Sequence, residues 1–301
     1  MTITRVEKLV YGVADMDAGT RYFMDWGLKR ENPEGGYPLF RTRTNQEIEL
    51  RSADDPSLPP SPDPAPSTLR GAIWGVRDAA GLKALADDLS RDRDVREDAD
   101  GTVWTTDESG NAVGLAVSSP VKADVGAFPV NRNDDKPRMN IQFEPAKQAN
   151  PIRIGHVVYA IRLEDREKAV SFYLDRLQFR LSDSTKTGGD FMRCAGGNDH
   201  HNLFLISRAD RNAFDHASFE LENFDTIMMG GKYMKQAGWE ADTTPGRHIL
   251  GSNYYWYFRN PCGGKTEYFA DMDQMDDNWE PRIWEESPGF SFWSLDEGAV
   301  G

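Results

Sequence analysis

Hydrophobic and polar positions along the chain fall into short runs broken at intervals by proline and glycine. Residues 6–13 are rich in β-branched and aromatic side chains and predict a strand. An acidic turn follows, then an amphipathic helix pattern carrying Tyr22, Phe23, Met24 and Asp25. The same succession returns at residues 154–161, with a second helix pattern through Phe172, Tyr173, Leu174 and Asp175. A fainter echo pairs residues 69–74 with 214–219. The implied plan is strand, helix, several strands, four times over, as two tandem pairs in an α+β fold.

Two stretches punctuate this plan. Residues 56–66 hold so many prolines that neither a helix nor a central strand can form, which predicts a loop between units. Residues 119–150 are polar, irregular and proline-punctuated, the pattern of an interdomain connection. The expected organisation is an N-terminal domain over 1–130, a linker over 131–150, a C-terminal domain over 151–270 and a tail over 271–301. A length of 301 residues suits two such domains.

Composition narrows the function classes. With 39% hydrophobic and 28% charged residues the chain can build a packed core, and no run approaches the roughly 20 apolar residues of a membrane span. The first residues lack the form of a signal peptide, and two cysteines cannot make a disulfide framework or a Cys-rich zinc site. A cytoplasmic location is expected. The net charge of −14 repels phosphate backbones and argues against a nucleic-acid partner. Nine acids and one base lie in residues 271–301, which reads as a solvated tail. Trp279, Trp284, Phe290, Phe292 and Trp293 in the same stretch imply that it also packs onto something.

All five histidines lie in the second half. His156 and His216 hold equivalent places in the opening strands of the third and fourth modules. A strand directs alternate side chains to one face, so equivalent strands can bring two imidazoles together. The expected carboxylate partner is Glu267, because a charge inside an apolar closing strand is expensive unless paired or bound to a cation. Two histidines and one carboxylate make the facial triad of non-haem iron sites, which leaves positions open for substrate and dioxygen.

The stretch from Gly246 to Glu267 contains His248, then Tyr257 nine residues later, then a Pro-x-Gly turn at Pro261-Cys262-Gly263 and finally Glu267. It resembles the signature of the type I extradiol ring-cleavage dioxygenases, within the vicinal oxygen chelate superfamily. The resemblance is specific mainly over residues 153–270. It implies a vicinal oxygen chelate fold of paired βαβββ modules. It also implies that His156, His216 and Glu267 hold Fe(II), or Mn(II), with O₂ as co-substrate. His201 matches the acid/base histidine, although the adjacent His200 exchanges roles with it if the match shifts by one; His200 is otherwise expected at a solvent-facing strand end. His248 and Tyr257 would line the substrate oxygens, and Val158, Phe191 and Asn253 would line the pocket. The implied reaction is extradiol cleavage of a neutral, substituted or bicyclic catechol in aromatic catabolism, by a homo-oligomer. The alternatives are a glyoxalase-like metal isomerase or a non-catalytic small-molecule-binding member of the superfamily. In the N-terminal half, Lys8, Gly71 and Gly114 stand opposite His156, His216 and Glu267, and none can replace its counterpart as a ligand.

Overall fold

The computed structural model describes residues 3–31, 36–125 and 129–295. The first half runs β1 (Ile3–Val13), α1 (Met16–Asp25), β2 (Lys29–Glu31), β3 (Leu39–Arg41) and β4 (Glu47–Ser52). It continues with β5 (Thr68–Val76), α2 (Ala79–Leu89), β6 (Arg96–Glu97), β7 (Val103–Thr106) and β8 (Ala112–Val117). Residues 118–152 carry no helix or strand among those described. The second half opens with β9 (Arg153–Arg162), α3 (Arg166–Ser171), β10 (Arg180–Thr185), β11 (Gly189–Arg193) and β12 (Leu203–Arg208). It repeats with β13 (Ala213–Glu220), α4 (Phe224–Gln236), β14 (Gly246–His248), β15 (Tyr254–Arg259) and β16 (Lys265–Ala270). Two short strands follow, β17 (Arg282–Trp284) and β18 (Ser291–Ser294).

Each half forms one mixed sheet. The first has the order β2-β3-β4-β1-β5-β8-β7-β6, and the second repeats it as β10-β11-β12-β9-β13-β16-β15-β14 with β17 and β18 added at its edges. The opening strands of paired modules meet antiparallel at the centre, and each closing strand pairs parallel to its own opening strand. Strand–helix–three strands thus occurs four times, as the α+β pattern predicts. Helix starts are set locally: Asp15, Asp78 and Asn223 each accept a backbone N–H of the first turn. Among the described residues no helix is long and apolar enough to cross a membrane.

The expectation of a solvated tail is corrected for residues 271–295. β17 pairs with β10 and β18 with β14. Indole and guanidinium donors fix this edge, with Trp279 Nε1 donating to the Ser182 carbonyl at 2.9 Å. Asp296 and Glu297 lie outside the described residues.

One continuous apolar core joins the halves. Trp26, just past α1, stacks on Tyr268 of β16 with centroids 3.5 Å apart and planes 9° from parallel. The Tyr268 hydroxyl donates to the Trp26 carbonyl at 2.8 Å, and Tyr22 bonds to Thr266. The Gln46 amide donates to the carbonyls of Val6 (2.6 Å) and Ile154 (3.0 Å) and accepts the Ile154 N–H (2.7 Å), linking β1 to β9. Thr266 and Tyr268 therefore face the N-terminal half, which turns the residue between them, Glu267, to the opposite face of β16. Trp26→Ala removes a fully buried ring from this junction. It should lower unfolding free energy by about 3–5 kcal/mol in urea denaturation, whereas a loss under about 1 kcal/mol would contradict the packing.

Candidate metal centre

Strand register assembles the site. His156 of β9 pairs with Ser218 of β13, Ser218 with Glu267 of β16, and Glu267 with Tyr257 of β15. His216 lies two residues along β13 from Ser218 and so shares its face. His156 Nε2 is 2.9 Å and His216 Nε2 3.5 Å from Glu267 Oε2, and one donor atom from each residue lies within 4.8 Å of the others. All three residues are buried.

The donor set fits a divalent metal. Asp215 Oδ1 lies 2.7 Å from His216 Nδ1, which places a proton on Nδ1 and frees the Nε2 lone pair. Among the described residues that Nε2 is buried without a hydrogen-bond partner. Burial pushes the Glu267 carboxyl up, but the surrounding imidazoles, His156 foremost, hold it well below the usual carboxylate range. Burial pushes His156 down despite Glu267, while Asp215 and Glu267 raise His216 against its burial. An anionic oxygen facing two imidazole nitrogens is the arrangement a cation completes.

His156 and His216 border a cavity of about 350 Å³ that His201, His248, Tyr257, Val158 and Phe191 also line, with Glu267 buried behind the two imidazoles. Phe191 stacks flat on Phe204, with centroids 3.8 Å apart. The His248 Nδ1–H donates to the Phe290 carbonyl at 3.1 Å, so its Nε2 accepts the Tyr257 hydroxyl at 2.9 Å. Burial, Glu267 and Asp215 push the Tyr257 phenol well above its ordinary value, keeping it a donor. Burial, with His156 and His200 adding to it, holds the His201 imidazole well below its ordinary value and neutral.

Two expectations are corrected. Asn253 does not line the cavity; it is fully buried behind the carboxylate, where Nδ2 donates to Glu267 Oε1 at 3.1 Å. His200 is not a solvent-facing strand end. It is fully buried, with Nε2 2.7 Å from Asp183 Oδ2 and Nδ1 2.9 Å from His201 Nδ1. A buried imidazole needs partners for both nitrogens, and here both are supplied.

The sequence reading also missed Asp215, Asp183 and Phe290. Adjacent strand residues normally face opposite ways, but the register shifts between Phe214 and His216, and this bulge lets Asp215 reach the His216 ring. The Asp-His dipeptide was the only available signal. Phe290 was legible only as one aromatic of the tail.

The N-terminal sheet repeats the same rung with different chemistry. Lys8 pairs with Ile73 and Ile73 with Gly114, as His156 pairs with Ser218 and Ser218 with Glu267. The Lys8 ammonium is paired with Glu49 and lies 3.5 Å from Glu47. A Cβ at Gly71 or Gly114 would come within 2.6 Å or 3.1 Å of the Trp104 ring. Indole fills the space that the ligand side chains occupy in the second half.

Known proteins resemble this chain in the same region. Residues 153–268 match the family model of the Glyoxalase/Bleomycin resistance protein/Dioxygenase superfamily. The chain is 30% identical over 215 residues to Metapyrocatechase 2 of Cupriavidus necator, covering 69% of this chain and 63% of that protein. It is 28% identical over 155 residues to an iron-dependent extradiol dioxygenase of Rhodococcus jostii, covering 48% of this chain and 50% of the other. Thus the chain spans between half and two thirds of the length of these relatives. In fold it is similar to a Mn(II)-bound glyoxalase from Novosphingobium aromaticivorans (TM-score 0.77, 19% identity, covering 100% of this chain and 94% of that one). It is also similar to the 2,3-dioxygenase LapB from Pseudomonas sp. KL28 (TM-score 0.75, 17% identity, 95% and 98%). The two-histidine, one-glutamate cluster at the centre of the second sheet lies within residues 153–268, and over that stretch the chain matches the glyoxalase/bleomycin resistance protein/dioxygenase superfamily.

Proposed function

We propose that the chain is an extradiol dioxygenase that opens a catechol ring beside its two hydroxyls, using O₂ at one Fe(II) held by His156, His216 and Glu267. The observation that carries this reading is the open face of the triad. It meets a cavity in which His201, His248 and Tyr257 surround the place a diol would take. The ion would supply Lewis acidity toward the diol and open positions for dioxygen. Mn(II) fits the same ligands, and the relatives' names include both metals.

The chain's own groups supply binding and proton handling. Phe191, Phe204, Val158 and Leu250 give the ring an apolar wall, and the volume admits a substituted or bicyclic catechol. His201 Nε2 takes a proton from one substrate hydroxyl and returns it after oxygen is reduced. The Tyr257 hydroxyl turns its one proton from His248 Nε2 to a substrate oxygen as negative charge develops there. The ring C–C bond next to a hydroxyl-bearing carbon breaks and both atoms of O₂ enter the product, so no external reductant is required. Release into the cytoplasm and assembly of several copies belong to the same proposal.

The isomerase alternative draws a second carboxylate from the closing strand of the other module. Here β12 offers Leu203, Phe204 and Leu205, and the carboxylate that lines the cavity, Asp215, is committed to His216 and Lys265.

Protein purified without oxygen should retain about one metal ion per chain and consume one O₂ per catechol, with a yellow ring-opened product. Metal retention without oxygen uptake across a panel of catechols would overturn the reading. Glu267→Ala should lose most of the metal while keeping its far-UV circular dichroism, because two neutral imidazoles leave a dication uncompensated. His201→Phe should keep the metal and bind catechol, with turnover falling by about 10²–10⁴-fold, the range of a general acid/base.

A further inference from the structure

His201 carries the proton in the proposed reaction, and what stands behind it is a built chain of donors and acceptors. His201 Nδ1 meets His200 Nδ1 at 2.9 Å, and the ring makes no other hydrogen bond among the described residues, leaving Nε2 for the cavity it lines. His200 Nε2 lies 2.7 Å from Asp183 Oδ2. Asp183 is fully buried and accepts three more bonds from the C-terminal segment. Arg282 reaches it through Nε at 2.8 Å and a terminal nitrogen at 2.6 Å, and Trp284 Nε1 at 2.7 Å. β17 pairs with β10 so that Arg282 stands directly opposite Asp183. Arg282 is the one base among residues 271–301.

Direction in this chain is set at its far end. A carboxylate bonded to a guanidinium only accepts, so His200 Nε2 must donate to it. A neutral His200 then has only a lone pair on Nδ1, and His201 Nδ1 must donate into it. The His201 proton is thereby confined to Nδ1, and the Nε2 facing the cavity carries the lone pair. We infer that Asp183 and His200 are positioning residues that fix the His201 tautomer, with Arg282 and Trp284 of the C-terminal segment locking Asp183 as the acceptor. This rests on the dioxygenase reading only for its kinetic consequence. Burial raises the Asp183 carboxyl, but His200, Arg282 and Trp284 together hold it below its ordinary value, which is consistent with an acceptor-only role.

The test is Asp183→Asn in the full, metal-loaded chain. Asparagine keeps the shape and accepts from Arg282 and Trp284 through its oxygen, but offers an N–H to His200. This reverses both imidazoles and puts a proton on His201 Nε2. Turnover should fall by about 10²–10⁴-fold with metal content and catechol KM unchanged, as when the buried carboxylate of a catalytic triad becomes an amide. A second pair avoids dependence on Asp183 folding variants. His200→Gln can accept from His201 and donate to Asp183, so it should recover most of the turnover that His200→Leu loses. Ring ¹⁵N NMR of the full chain, which requires no turnover, should show His201 protonated on Nδ1 in the wild type and on Nε2 in Asp183→Asn. Wild-type His201 protonated on Nε2, or equal turnover in His200→Gln and His200→Leu while His201→Phe is impaired, would overturn the inference and leave the dioxygenase reading standing. Absence of catechol cleavage in the wild type, with the tautomer as expected, would overturn the dioxygenase reading alone.

Discussion

The site depends on one rung of hydrogen-bonded strands. His156, Ser218, Glu267 and Tyr257 stand side by side across β9, β13, β16 and β15, with His216 two places along β13. A slip of one residue between any two strands would turn a ligand to the opposite face. The register is secured from behind, because Thr266 and Tyr268, the neighbours of Glu267, are held by Tyr22 and Trp26 of the other half. Packing between the halves is thus what lets a carboxylate stay buried and aimed at two imidazoles.

The N-terminal half shows the same rung put to structural use. Lys8, Ile73 and Gly114 replace His156, Ser218 and Glu267, and Gly71 replaces His216. Two glycines admit Trp104, whose ring packs with Val10, Leu58, Ile73 and Ala112. Apolar filling needs no cation, whereas the second sheet gathers a buried carboxylate and imidazoles that do. One architecture therefore supports both a packed module pair and a chemically open one, and the difference rests on a few side chains.

Much of this was legible in the sequence because it follows from repetition. The strand and helix patterns at residues 6–13 and 154–161 expose the four modules, and equivalent strand positions single out His156 and His216 before any fold is known. The spacing from His248 through Tyr257 to Glu267 reports one hairpin, β15 and β16, after the short strand β14. What stayed hidden depends on irregular or long-range geometry. The Asp215 contact requires a β-bulge, and the burial of His200 requires Asp183 seventeen residues away. The segment after residue 270 read as solvated because its acids outnumber its bases. Its attachment depends on Arg282 and Trp284 meeting Asp183 across β17 and β10, a pairing that composition does not encode. Asn253 was placed near the site but on the wrong side of Glu267, since a side chain behind a ligand and one in front of it look alike in sequence.

The central claim is that this rung builds one metal centre and that its N-terminal counterpart builds none. Crystals grown under nitrogen with Fe(II) and measured at the iron absorption edge test it most directly. The account predicts a single anomalous peak per chain, bounded by His156 Nε2, His216 Nε2 and a Glu267 oxygen, with the His201 ring at the cavity wall and outside bonding distance. A peak that engages fewer than these three residues, or a second peak beside Lys8 and Trp104, would contradict it.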